Sequence, residues 1–132
     1  MLKIRKSELD AIIAHARKEA PIEACGYLAE RDDVVELSIP LTNTDKAAEH
    51  FSLDPKEQFA AVREIRGKGM KLKAVYHSHP ATLARPSQED IRLAHDPNVS
   101  YVIVSLCEEE PVAKSFLIRE GTVQEEEMVI IN

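Results

Sequence analysis

Tyr76-His77-Ser78-His79-Pro80, continued by Arg85-Pro86-Ser87-Gln88-Glu89-Asp90, is the stretch on which the reading of this chain turns. It extends an apolar run, Leu72, Ala74, Val75 and Tyr76, that reads as a strand. Side chains alternate along a strand, so His77 and His79 share a face. Two imidazoles on one face can hold one metal ion. A hydrolytic zinc usually takes three protein ligands and leaves a fourth position for water. The third ligand is expected to be a nearby carboxylate or histidine, and Asp90 is the best placed. The spacing is His-x-His, seven residues, Ser, two residues, Asp. A bare His-x-His is weak; the whole run is far more specific.

Each of these residues also has a plainer reading. The histidines can be polar residues closing a strand. Ser87 suits a helix N-cap, and Asp90 is a favourable carboxylate in a first helical turn.

The chain has 132 residues, which points to one domain spanning 1–132. Its apolar fraction of 44% is enough for a core. The formal net charge is -6, without a lysine or arginine block, which argues against general nucleic-acid binding. No run approaches the ~20 apolar residues of a membrane span, and Met1–Lys6 has no apolar signal segment. The expectation is a cytoplasmic protein that binds neither nucleic acid nor membrane. Cys25 and Cys107 form no Cys-x-x-Cys pair, and free thiols are expected in that compartment.

In chain order, Leu2-Lys3-Ile4 begins as a short strand. Ser7 is expected to cap a helix, with Asp10 completing a capping box, and Leu9, Ile12, Ile13 and Ala16 form its buried stripe. Pro21 ends it. His15 reads as solvated surface. Cys25 to Ala29 is a strand in which Gly26 permits a close approach, and Arg31-Asp32-Asp33 turns into a second strand, Val34 to Ile39. Pro40 breaks it; Leu41 to His50 is a loop, and Phe51 to Leu53 is a possible short strand. Asp54-Pro55 starts a helix that ends at Gly67 or Gly69. Ser87 caps a helix to about His95, and Val99 to Leu106 is a central strand buried on both faces. Val112 to Ile118 and Val123 to Ile131 follow. The pattern predicts an α/β layer architecture, a mixed sheet with helices packed against it.

The run from His77 to Asp90 resembles the JAMM motif of the MPN domain metalloproteases, which also needs an upstream glutamate. Glu23 supplies it in Pro21-Ile22-Glu23-Ala24-Cys25-Gly26. Read on its own, Glu23 is better taken as a surface residue, since glutamate is abundant in this chain. The likeness covers roughly the whole chain, in the compact prokaryotic form, and implies an MPN (JAB1-like) fold, a curved mixed sheet flanked by helices. It implies Zn²⁺ held by His77, His79 and Asp90, a zinc-bound water activated by Glu23 as base, and Ser87 as donor to the oxyanion. It implies a zinc metallopeptidase or isopeptidase acting on the tail of a ubiquitin-like or sulfur-carrier protein ending in Gly-Gly. Such a tail needs a narrow groove, and Leu41-Thr42-Asn43-Thr44, after an edge-like strand, is the candidate lip. Cys25 is expected to be a packed thiol, and His50 and His95 to lie outside the site. The alternatives are a non-catalytic MPN-type scaffold and a RadC-like DNA-associated protein.

Overall fold

Strand β1 (Leu2–Arg5) runs straight into helix α1 (Lys6–Glu19) in the computed structural model, which describes residues 1–132. The chain continues through β2 (Cys25–Arg31), β3 (Val34–Leu41), α2 (Pro55–Gly67), β4 (Lys71–His79) and α3 (Gln88–Leu93). It closes with β5 (Ser100–Ser105), β6 (Val112–Arg119), β7 (Thr122–Glu126) and β8 (Met128–Ile131). All eight strands form one sheet, ordered β7-β6-β5-β4-β2-β3-β1-β8. The pairs β1/β3, β1/β8 and β4/β5 are parallel and the rest antiparallel. Only Glu127 separates β7 from β8 in the chain, yet they stand at opposite ends of the sheet. The sheet must therefore curl until its two edges nearly meet.

Strand alternation divides the core between the two faces. On one face Leu9, Ile12 and Ala16 of α1 pack with Leu28, Val35, Ala74, Tyr76, Val102 and Val104. On the other, Cys25, Tyr27 and Ala29 of β2 pack with Ala61 and Ile65 of α2, and Ile103, Phe116 and Ile118 form a further cluster that Ile91 of α3 touches. His77 stands on this second face, in register with Cys25 on one side and Ile103 on the other. Gly26 sits opposite Tyr76, and a Cβ there would collide with the Tyr76 ring and with the Ile39 carbonyl. This is the close approach that the glycine was expected to allow.

Several local expectations are revised. Ser7 does not cap α1: the N-cap is Arg5, with no side-chain cap, and the Ser7 hydroxyl bonds Glu8 instead. The strand passes into the helix without a loop, which puts Ser7 at the second helical position, inside the first turn. Pro40 does not end β3, because it lies in the antiparallel ladder opposite Gly26 on a strand with no partner beyond, where no amide is needed. Phe51 to Leu53 is loop, α3 stops at Leu93, and Val123 to Ile131 divides into β7 and β8. Asp54 caps α2 as expected, accepting from the Lys56 amide, with Pro55 at the first helical position. Asp32 and Asp33 both take positive φ in the β2–β3 turn, as a tight hairpin requires. No helix is long and apolar enough to cross a membrane.

Candidate active site

Three side chains converge at the end of β4. His77 Nε2 and His79 Nε2 are 3.2 Å apart, and each is 3.1 Å from Asp90 Oδ2. The histidines arrive together because a single strand residue, Ser78, separates them. Asp90 arrives through α3, whose first turn is a capping box: the Asp90 amide donates to Ser87 Oγ, and the Ser87 amide donates to Asp90 Oδ2. The helix cap thus fixes the carboxylate that faces the two histidines.

Proton accounting shows what this cluster needs. His79 Nδ1 lies 2.8 Å from the Leu83 carbonyl, which only accepts, so Nδ1 carries the hydrogen. In the neutral ring Nε2 then presents a lone pair towards His77 Nε2 and Asp90 Oδ2. Lone pairs gathered at this range require a shared proton or a cation between them. Two ligands on a tetrahedral zinc, each ~2.0–2.1 Å from it, sit about 3.3 Å apart, close to the spacings observed. The donor set, two imidazoles and a carboxylate, also fits zinc. The two buried histidines and the partly buried Asp90 can hold a metal. Burial pushes the Asp90 carboxyl upwards, but hydrogen bonds from His77 and His79 outweigh it and hold Asp90 well below the usual carboxylate range. Burial also lowers the affinity of His79 for a proton, and Asp90, the Leu83 carbonyl and Glu23 together more than reverse this.

Glu23 reaches the same place from a distant part of the sequence. It lies just before β2, whose first residue, Cys25, pairs with His77. It is only 2% exposed, and its Oε1 has no hydrogen-bond partner. Burial, aided by Asp90, Glu89 and Glu49 and opposed by His79, pushes its carboxyl up to about 8. The backbone around it is clamped: the Glu23 amide donates to Ala47 O, and Asn43 Nδ2 donates to Glu23 O.

Other residues at the site differ from expectation. His50 is not remote; with Glu89 it lines two of the cavities that border the triad. His15 is not solvated, because its Nδ1 lies 2.7 Å from the buried Tyr76 hydroxyl. Asn43 and Ser78 carry structural roles that the sequence hid. Asn43 makes five hydrogen bonds, to Glu23 O, Ala47 O, His50 O and the amides of Asp45 and Ser52, and so organises the loop after β3. An asparagine in a polar loop carries no local signal of this. Phe51 packs on His77, with ring centroids 5.0 Å apart. Cys25 is fully buried among apolar groups, which push its thiol up to about 12, and both cysteines are free.

The expected lip at Leu41–Thr44, and the strand edge leading into it, lack a free row of donors. Beyond Val35, β3 has no strand partner on its outer side, but Glu8 accepts from the Ser38 amide and Glu57 from the Thr42 amide, while Pro40 has no N–H. This is edge protection, and it closes that edge to an added strand.

Comparison with known proteins agrees with this geometry. The family described as prokaryotic homologs of the JAB domain matches residues 5–119. The chain is 37% identical over 134 residues to the CysO-cysteine peptidase of Mycobacterium tuberculosis, covering 99% of this chain and 92% of that protein. It is 34% identical over 132 residues to a Thermus thermophilus protein named "Probable TtuB-protein conjugate cleaving protease", covering 99% and 84%. The solution structure of a Desulfitobacterium hafniense protein superposes with a TM-score of 0.91 at 48% identity, covering 99% of this chain and 93% of that one. A glutamate, two histidines, a serine and an aspartate drawn to one end of a nearly closed sheet, in a chain matched along almost its whole length, identify it as a member of the prokaryotic JAB-domain family and a JAMM-type metallopeptidase.

Proposed function

We propose that this chain hydrolyses the amide bond after the glycine-ended tail of a ubiquitin-like or sulfur-carrier protein, with zinc held by His77, His79 and Asp90. The observation that carries the reading is the convergence of two imidazole Nε2 atoms and one carboxylate oxygen beside a buried Glu23 whose Oε1 has no partner. The substrate class rests on the names of the M. tuberculosis and T. thermophilus relatives, which refer to CysO and TtuB.

When bound, the ion supplies a Lewis acid that acidifies water and polarises a carbonyl. The chain's own residues do the rest. Glu23 takes a proton from the attacking water as the new C–O bond forms. It then delivers that proton to the amide nitrogen as the C–N bond breaks, so proton and charge balance over the cycle. Its buried, weakly acidic carboxyl suits both halves of the transfer. Ser87 Oγ accepts from the Asp90 amide, which leaves its own O–H free to donate to the developing oxyanion. Asp90 is held by the Ser87 amide, a supporting bond of the kind that fixes a ligand's orientation.

The test uses a ubiquitin-like protein fused through a Gly-Gly end to a short peptide. The expected result is cleavage directly after the second glycine, lost on chelation and restored by zinc. Cleavage that survives chelation would overturn the metal reading, and cleavage elsewhere in the tail would overturn the substrate reading.

A further inference from the structure

His50 is held from three sides. Its Nδ1 lies 3.1 Å from Asp45 Oδ2, its carbonyl accepts from Asn43 Nδ2 at 3.0 Å, and the ring of the next residue, Phe51, packs on His77. Ser52 Oγ donates to the same Asp45 oxygen at 2.6 Å, and the bonds from Ser52 and His50 hold the Asp45 carboxyl below its usual range. A carboxylate only accepts, so His50 Nδ1 carries the hydrogen, and Nε2 of the neutral ring presents a lone pair. Nothing in the protein bonds that Nε2.

Two of the cavities that border the triad meet at this residue. One, about 350 Å³, has His77 and Asp90 in its wall; the other, about 480 Å³, has Glu23, His79 and Ser87. His50 and Glu89 are the two residues common to both walls. They come from opposite flanks of β4: His50 from the loop after β3, beyond β2, and Glu89 from α3, which leads from β4 to β5. A chain lying over the triad, with its acyl part in one cavity and its leaving part in the other, therefore passes between His50 and Glu89. Arg92 stands 3.8 Å from Glu89, too far for a hydrogen bond, so this carboxylate also keeps lone pairs free.

A glycine tail offers no side chain, so only its main chain can be gripped. In an extended chain successive N–H groups point to opposite sides. Their usual partner is a strand edge, but here the Ile39–Thr44 edge is closed by Glu8, Glu57 and Pro40. Two acceptors, one on each side of the crossing, meet the same requirement. We propose that His50 Nε2 and the Glu89 carboxylate grip the tail by accepting from the N–H groups of its last two glycines, one from each side. This assignment rests on the peptidase function proposed above.

The experiment uses a ubiquitin-like protein joined through Gly-Gly to a short peptide, assembled in three forms. One is unaltered; in the others the N–H of the last or of the preceding glycine is replaced by an ester oxygen. In the wild type each replacement is expected to lower kcat/KM about tenfold. In His50→Asn one of these penalties falls towards onefold, and in Glu89→Ala the other does. His50→Asn keeps a donor for Asp45 but lacks the outward atom, so its KM for the unaltered form rises. His50→Gln places an acceptor near the position of Nε2 and keeps most of the wild-type KM. Each ratio is taken within one preparation of measured zinc content, so partial folding does not mimic it. No penalty in the wild type, equal penalties in every variant, or an unimpaired His50→Asn beside an impaired His50→Gln, which would make His50 a loop brace only, overturns the inference and leaves the peptidase function standing. Failure of the wild type to cleave the unaltered form overturns that function, and this inference with it.

Discussion

Ser78 and Ala24 are joined by two hydrogen bonds: the Ser78 amide donates to Ala24 O at 2.9 Å, and the Ala24 amide donates to Ser78 Oγ at 2.8 Å. Ser78 lies between the two histidines, and Ala24 follows Glu23, so this pair couples the strand that bears the histidines to the segment that places Glu23, the proposed acid–base residue. Ser78→Ala removes one bond and leaves the buried Ala24 amide unpaired. The expected loss is ~1–3 kcal/mol of stability, measured by denaturant unfolding. Zinc content should be unchanged, while kcat falls because Glu23 is less firmly placed.

His77→Ala and His79→Ala should each abolish stoichiometric zinc binding, since two remaining donors rarely retain the ion against a chelator. Elemental analysis of the purified variants measures this. Full zinc occupancy in both would show that the ion is held elsewhere.

Glu23→Gln should keep the metal and lose ~10²–10⁴-fold in kcat, the usual share of a positioned acid–base group. The amide matches the carboxyl in shape and cannot carry the proton. A variant that bound no zinc would make Glu23 a ligand.

Glu23 also marks the metal-free protein with a pH signature. Its folded carboxyl titrates near 8 because of burial, against 4.5 for the ordinary group. Between those values the folded state binds more protons than the unfolded one, so Glu23 makes stability decline as pH rises from about 4.5 to 8. Asp90 stays ionised across this window and His79 is coupled to Glu23, so the difference between the wild type and Glu23→Gln reports Glu23 together with its effect on His79. The variant should gain relative stability across that window, read by urea unfolding of the apo-proteins at pH 5 and pH 8.5. A difference independent of pH would mean that Glu23 titrates normally.

Asn43→Asp tests the loop. The side chain's amide hydrogens meet three carbonyls, and a carboxylate oxygen there would face them with no hydrogen to offer. The expected outcome is faster proteolytic cutting within residues 44–53 and a reduced kcat, because the same residue holds Glu23 O. Asn43→Ala should show the same direction of change.

Much of the triad was legible from local rules. A strand repeats every two residues, so His77 and His79 had to share a face. An N-cap and the third residue of a helix sit side by side, so Ser87 brings Asp90 with it. Asp54-Pro55 marked the start of α2 for the same reason. Each case depends on neighbours within about one turn or one pleat, and backbone geometry alone decides it.

What only the tertiary structure decided lies across longer separations. Glu23 stands 54 residues before His77, and no periodicity links them; the β2–β4 register, Cys25 opposite His77, makes them neighbours. The closing of the Ile39–Thr44 edge needed Glu8 of α1 and Glu57 of α2 to arrive from different elements. His15 read as surface because its chain neighbours are polar, until β4 brought the Tyr76 hydroxyl to it. The chain by itself determined which chemistry was available, because side-chain type and local spacing are written in it. The fold decided which groups meet and which are buried, because strand register and sheet curvature follow from packing the whole chain at once.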